Sequence, residues 1–288
     1  MLAHAGSYSL TLGTEPWTWA FDPLQLGTLM LVGWVYGLRV RTLRRRKRGV
    51  HRARVLAFYS GLVVILLAFV SPVDALGEER LLFAHMIQHI LIAEIGALLV
   101  VAGLTGPILR PLLSLPYVGR LRALAHPLVA LPIWCLTLYL WHLPALYQAA
   151  VQSDVLHSLQ HGSFFASGAL MWAALLEPLP GPVWFGAGAK AAYIGVSRFA
   201  EAILANIFVW SQRPFYEFYA GAERLWGITP IRDQNLGGGI MMVFGTVVTL
   251  STFAWVFLRW AREGERAQEL IEQGVNPVAA ARAARFGR

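Results

Sequence analysis

Two histidine pairs stand out in this sequence as residues able to do chemistry. They are His85 and His89 in "FAHMIQHILIAE", and His157 and His161 in "DVLHSLQH". Each pair is spaced i, i+4, which on a helix puts both side chains on one face with Cβ atoms about 5–6 Å apart. At that separation two imidazoles can bind one metal ion, the arrangement of helical zinc sites. A fifth histidine, His142, follows the apolar run "LTLYLW". Soft side chains lie nearby in sequence: Met86 is i, i+3 from His89, and Met241 and Met242 begin another apolar stretch. Imidazole combined with thioether suits copper, Cu(I) above all, better than magnesium or calcium.

These residues must be positioned by apolar helices. Of the 288 residues, 57% are hydrophobic and only 14% charged, against roughly a quarter charged in a soluble domain. Seven apolar runs approach or reach the roughly 20 residues needed to cross a bilayer, at about 24–40, 55–72, 81–103, 126–147, 157–176, 188–210 and 236–259. Pro and Gly segments such as "SPVDALG", "LTGPILRP" and "EPLPGP" punctuate their ends. The expected fold is all-α: a polytopic membrane domain over 24–260, an extracytoplasmic lead-in over 1–23, and a polar tail over 261–288, helical at first and then disordered. The lead-in lacks a basic segment followed by an apolar core, so no cleavable signal is expected there.

The net charge of +8 does not point to nucleic acid. The basic residues cluster between apolar runs, most densely in "RTLRRRKRGVHRAR", and that pattern is a topology signal. With the 41–54 loop in the cytoplasm, eighteen Lys and Arg fall on that side and four (Arg80, Arg213, Arg224 and Arg232) on the other. The N-terminus is therefore expected outside and the C-terminus inside. The lone cysteine, Cys135, permits no intramolecular disulfide and reads as packing.

Orientation places His85, His89, His142, His157 and His161 within about 12 Å of the outer membrane boundary, on three different helices. His51 and His126 fall on the cytoplasmic side, and His4 in the lead-in. A single intramembrane histidine is commonly a hydrogen-bond partner between helices. Five at one depth, four of them in i, i+4 pairs, point to a polydentate metal pocket instead, because ionisable groups are costly in a bilayer and mark function. In span six, Arg198 and Glu201 are i, i+3 and read as a structural ion pair; Glu94, midway along span three, is free either to join them or to relay protons.

Three blocks, "HMIQH" at 85–89, "WHLPALYQAAVQSDVLHSLQH" at 141–161 and "DQNLGGGIMM" at 233–242, together resemble one family. They are similar to the seven-span CtaG-type cytochrome c oxidase assembly factors, as distinct from the single-span periplasmic copper chaperone that shares the name. The resemblance covers roughly residues 24 to 260. It implies a bacterial inner-membrane protein needed for active cytochrome c oxidase, with copper handling as its role and oxidase subunits or a copper donor protein as partners. It carries across His85, His89, Trp141, His142, Pro144, His157, His161, Asp233 and Gln234. "NLGGG" is richer in glycine than the family pattern, which bears on how span seven packs.

The expected function is thus copper binding by His85, His89, His142, His157 and His161, with Met86, Met241 or Met242 as additional soft ligands for Cu(I). Asp233 and Gln234 would stand at the way in or behind the ligands, and Trp141 and Pro144 would shape the end of span four. No substrate pocket is evident, so an enzyme is not the expectation. Zinc stays open as the metal. A b-type haem protein, a metal-dependent membrane enzyme and a metal transporter are the alternatives.

Overall fold

The computed structural model describes residues 10–286 apart from 15 and 117. Residues 1–9 of the 1–23 lead-in, His4 included, lie outside the described residues. Two short strands, β1 (Leu10–Leu12) and β2 (Trp19–Phe21), pair antiparallel with Leu10 opposite Phe21. Helices follow: α1 (Pro23–Arg45), α2 (Arg52–Val70), α3 (Pro72–Glu79) and α4 (Leu82–His89). The last runs on through a π-helical turn, Ile90–Gly96, into α5 (Ala97–Gly103). Two short helices, α6 (Gly106–Leu113) and α7 (Val118–Leu121), lead to α8 (Pro127–His142), α9 (Pro144–Val151) and α10 (Asp154–Leu176). After α11 (Ala187–Trp210) and the short α12 (Glu217–Ala220) come α13 (Pro230–Glu272) and α14 (Pro277–Phe286).

Four of these helical segments, α2, Leu82–Gly103, α11 and α13, are long and apolar enough to cross a bilayer, as in a helical membrane protein. The other three predicted runs are occupied by α1, α8 and α10. The run expected over 126–147 is broken: Leu143 adopts ψ 130° ahead of Pro144, whose ring disfavours helical geometry in the residue before it. His142 consequently ends α8. The tail is helical at first, as expected, with α13 continuing to Glu272, but 277–286 is helical rather than disordered. Arg285 of α14 donates to the carbonyls of Val183 and Phe185 and to Glu177, which anchors this helix.

The core gathers Met86, Trp134, Phe164, Trp172, Phe208 and Met241 where α4, α8, α10, α11 and α13 meet. The glycine-rich start of α13 serves this packing. A Cβ on Gly238 would stand 2.7 Å from the Ala205 carbonyl oxygen and 2.9 Å from Phe208 Cβ, so glycine there lets α13 lie directly on α11. At the other end of the bundle the buried Glu177 carboxylate collects Lys190 at 2.7 Å, Arg285 at 2.7 Å and Arg259 at 3.4 Å, joining α10, α11, α13 and α14. His51 and His126 are helix caps: His51 Nδ1 accepts from Ala53 N–H, and His126 Nδ1 from Leu128 N–H.

Candidate metal centre

The first histidine pair sits on α4, and this short helix is pinned along its length. Its N-terminus is capped by Asp233 of α13, which accepts from Leu82 N–H at 2.7 Å and Phe83 N–H at 3.0 Å. A carboxylate at this end also meets the positive pole of the helix dipole. Near its other end, Gln88 donates to Asp74 of α3 and to the Ala68 carbonyl of α2 at 3.1 Å. Burial, with the neighbouring Glu78 carboxylate, pushes the Asp74 carboxyl well above the ordinary carboxylate range. Asp233→Ala leaves two buried N–H groups unpaired, so it is expected to cost about 2 kcal/mol of stability in thermal melts in detergent. Asp233→Asn keeps one acceptor oxygen and is expected to recover at least half of that loss.

Three of the five predicted histidines converge. Ring nitrogens of His85, His89 and His161 all lie within 4.8 Å of one another, and all three residues are buried. His85 Nε2 and His89 Nε2 are 2.8 Å apart. With a proton on one of them this contact is a hydrogen bond; with neither protonated it approaches the ~3.3 Å between two ligands of a tetrahedral ion with bonds of about 2.05 Å. His157 adjoins the trio, its ring 4.2 Å from His161 and 5.2 Å from His85. His142 is more distant, 6.1 Å from His89, across a small cavity also lined by Met86 and Met241.

The hydrogen bonds behind the rings leave nitrogens free to bind. His157 Nδ1 faces Glu78 Oε1 at 3.0 Å and His142 Nδ1 faces the Leu138 carbonyl at 2.7 Å. Both acceptors take an Nδ1–H, which leaves each Nε2 with a bare lone pair. Tyr219 acts on His85 in the same way. Burial pushes its phenol far up, so it keeps its proton and donates to the Gly77 carbonyl at 2.6 Å. Its oxygen can then accept from His85 Nδ1, 3.3 Å away. The Nε2 atoms of His142, His157 and His161 and Nδ1 of His89 have no hydrogen-bond partner although they are buried. An unpaired buried polar atom costs about 1–3 kcal/mol, and a bound metal ion removes that cost. Imidazole nitrogens with thioethers at the margin are donors that fit copper.

The remaining predicted residues are placed as follows. Met86 and Met241 line the cavity beside His89, whereas Met242 packs at the edge of the core. Trp141 turns to α10, its Nε1–H donating to Ser163 Oγ at 2.7 Å. Asp233 and Gln234 are buried rather than at an outer mouth; Gln234 accepts from Phe215 N–H at 2.8 Å and so holds the 211–216 loop. Arg198 and Glu201 form the expected ion pair. Tyr147, Tyr216, Tyr219 and Glu78 were missing from the sequence reading. Tyr147 lies 5.3 Å from His85, stacks on Tyr216 at 4.0 Å and meets the Tyr219 hydroxyl at 3.2 Å, closing one side of the cluster.

Fold and cluster together describe a helical membrane protein with a buried multi-histidine centre near one end of its bundle. Residues 34–263 match the family of cytochrome c oxidase caa3 assembly factors, and the chain belongs to that family. Among curated proteins it is 24% identical over 269 residues to uncharacterised proteins of Mycobacterium bovis and Mycobacterium tuberculosis, covering 86% of this chain. The chain spans only about two fifths of the length of those relatives (40%). No solved structure matches it.

Proposed function

We propose that this chain supports cytochrome c oxidase assembly by holding Cu(I) as cargo near the outer face of a bacterial cytoplasmic membrane. The observation that carries this reading is the convergence of His85, His89 and His161 with unpaired nitrogens around them. His157 lines a small pocket with Glu78, Ser153 and Asp154, and in this reading the ion enters there. His157 Nε2 is available because Glu78 accepts a hydrogen bond from the Nδ1–H of the neutral ring. Met86 and Met241 add polarisable sulfur on the inner side, which favours Cu(I). The ion is held and handed on, to oxidase subunits or from a copper donor protein, with no bond made or broken in a substrate. Haem is a poor fit, because His85 Nε2 and His89 Nε2 face each other rather than opposite sides of a porphyrin.

Seven spans with the N-terminus outside complete this proposal. Its support is the eighteen-to-four division of basic residues and the helices found in all seven predicted runs. A reporter fused to the C-terminus that is active only outside the cell would overturn the orientation. The functional test is the copper content and activity of oxidase in membranes of a strain lacking this chain. Both are expected to fall, to be restored by the unaltered chain, and to stay low with His161→Ala. Oxidase fully charged with copper in the His161→Ala strain would sink the proposal.

A further inference from the structure

Glu94 and Glu201 have no part in metal holding as described above, yet both are buried in the middle of the bundle. Glu94 is on the π-helical turn that begins directly after His89, and Glu201 is on α11. π-turns recur where a helix carries function. The two carboxyls line the same two cavities and lie within hydrogen-bonding reach of each other. Ionised carboxylates only accept, so a hydrogen bond between them requires a proton on one.

Arg198 supplies the single positive charge. It is ion-paired with Glu201, and its Nη2 donates to the Met241 carbonyl at 3.1 Å and the Met242 carbonyl at 3.3 Å. Gly245 makes room for it: a Cβ there would fall 1.2 Å from Arg198 Nη1. With one proton, the two carboxyls and the guanidinium sum to zero, the least costly state for such a group inside a membrane.

Two small cavities meet at this pair, each about 30 Å³, room for one or two waters. One separates the pair from His89 and His142 and is lined mainly by apolar side chains. The other brings in Ser197, Thr249 and Thr252. Tyr193 is the further titratable group on that side; α8, α10 and α13 contribute no charged side chain to either lining.

We propose that Glu94 and Glu201 together hold one proton, which they release when a monovalent metal cation enters the histidine cluster. The inference rests on the copper reading above. The balance is one cation in and one proton out: the carboxyl O–H bond breaks, the proton passes to water, and the net buried charge is unchanged. Compensation of this kind matters because charges in a low-dielectric interior interact strongly across distances that water would screen. The carboxyl pair is therefore a charge-compensating site, and it does not ligate the metal.

The test is infrared difference spectroscopy of the purified full chain in detergent at neutral pH, without metal and after adding Cu(I), with bound copper assayed on the same sample. The metal-free chain is expected to show a protonated-carboxyl C=O band that is absent in Glu94→Gln and Glu201→Gln. Cu(I) is expected to bleach that band. In a weakly buffered titration it should also release about one proton more per copper than from Glu201→Gln, which binds copper about tenfold more weakly. No such band, or a band unchanged in a chain that has bound copper, overturns the inference. A chain that shows the band but binds no Cu(I) overturns the copper reading and the coupling, and leaves the proton-holding site standing.

Discussion

Replacing both His85 and His89 by alanine is expected to strip the purified chain of copper, from near one ion per chain to background in elemental analysis. These two residues supply two of the three converging nitrogens, and their ring nitrogens stand 2.8 Å apart. The expected drop in Cu(I) affinity exceeds about a hundredfold, since losing only a hydrogen-bond partner behind a ligand costs about 10–100-fold. Glu78→Gln removes such a partner from His157 and is expected to fall within that lower range. His142→Ala is expected to act more weakly than either alanine at the trio, because its ring lies outside the group. The double change to glutamine keeps volume and hydrogen-bonding capacity, so it separates lost ligation from lost packing. Copper retained at full occupancy in a folded double variant would show that the cluster is a hydrogen-bonded polar layer. An optical spectrum of the same samples distinguishes copper from haem, which would give a Soret band.

The second large effect concerns Gly168 on α10, seven residues after His161. A Cβ there would stand 2.2 Å from the Ala93 carbonyl oxygen and 3.1 Å from its carbon. Both are backbone atoms of the π-helical turn, and neither can swing aside as a side-chain tip can. Gly168→Ala gains about 1 kcal/mol in helix propensity but must force two packed helices apart. Overpacking costs about 1–3 kcal/mol and sometimes more, and the rigid backbone neighbour places this case at the upper end, about 3 kcal/mol before the propensity gain. The net expectation is a loss of about 2 kcal/mol in detergent melts, with weaker copper binding because α10 and α4 carry the facing histidines. Gly162 on the same helix is the control, since nothing lies within 4 Å of a Cβ there. Gly162→Ala is expected to be neutral or to stabilise by up to about 1 kcal/mol. Equal effects at the two positions would refute the steric account.

The candidate site was legible from sequence where spacing along one helix decides the geometry. The pairs His85/His89 and His157/His161 meet because i, i+4 residues share a helix face. Groups that act across the bundle left no such mark. Glu78 meets His157 from another helix, Tyr219 reaches His85 across 134 positions, and Asp233 caps α4 across 151. Asp233 and Gln234, which begin a span, are expected from sequence at the way in or behind the ligands, and burial excludes the first of these. Their burial instead makes them clamps on the 82–83 and 211–216 backbone.

By itself the sequence determined that this is a multi-helix membrane protein, and its motifs marked the oxidase assembly family. Composition and the length of the apolar runs settle the first point without any long-range contact, and the motif blocks at 85–89, 141–161 and 233–242 carry the second. Only the tertiary structure decided which histidines converge, which ring nitrogens stay bare, and that Glu94 meets Glu201. Those outcomes depend on how helices rotate and approach about their axes. That is set by close contacts such as Gly238 on Ala205 and Gly168 on Ala93, and by the π-turn that re-aims Glu94. Hydropathy and periodicity report which way a helix runs and which face is apolar. They do not report which atoms meet when such faces are packed together.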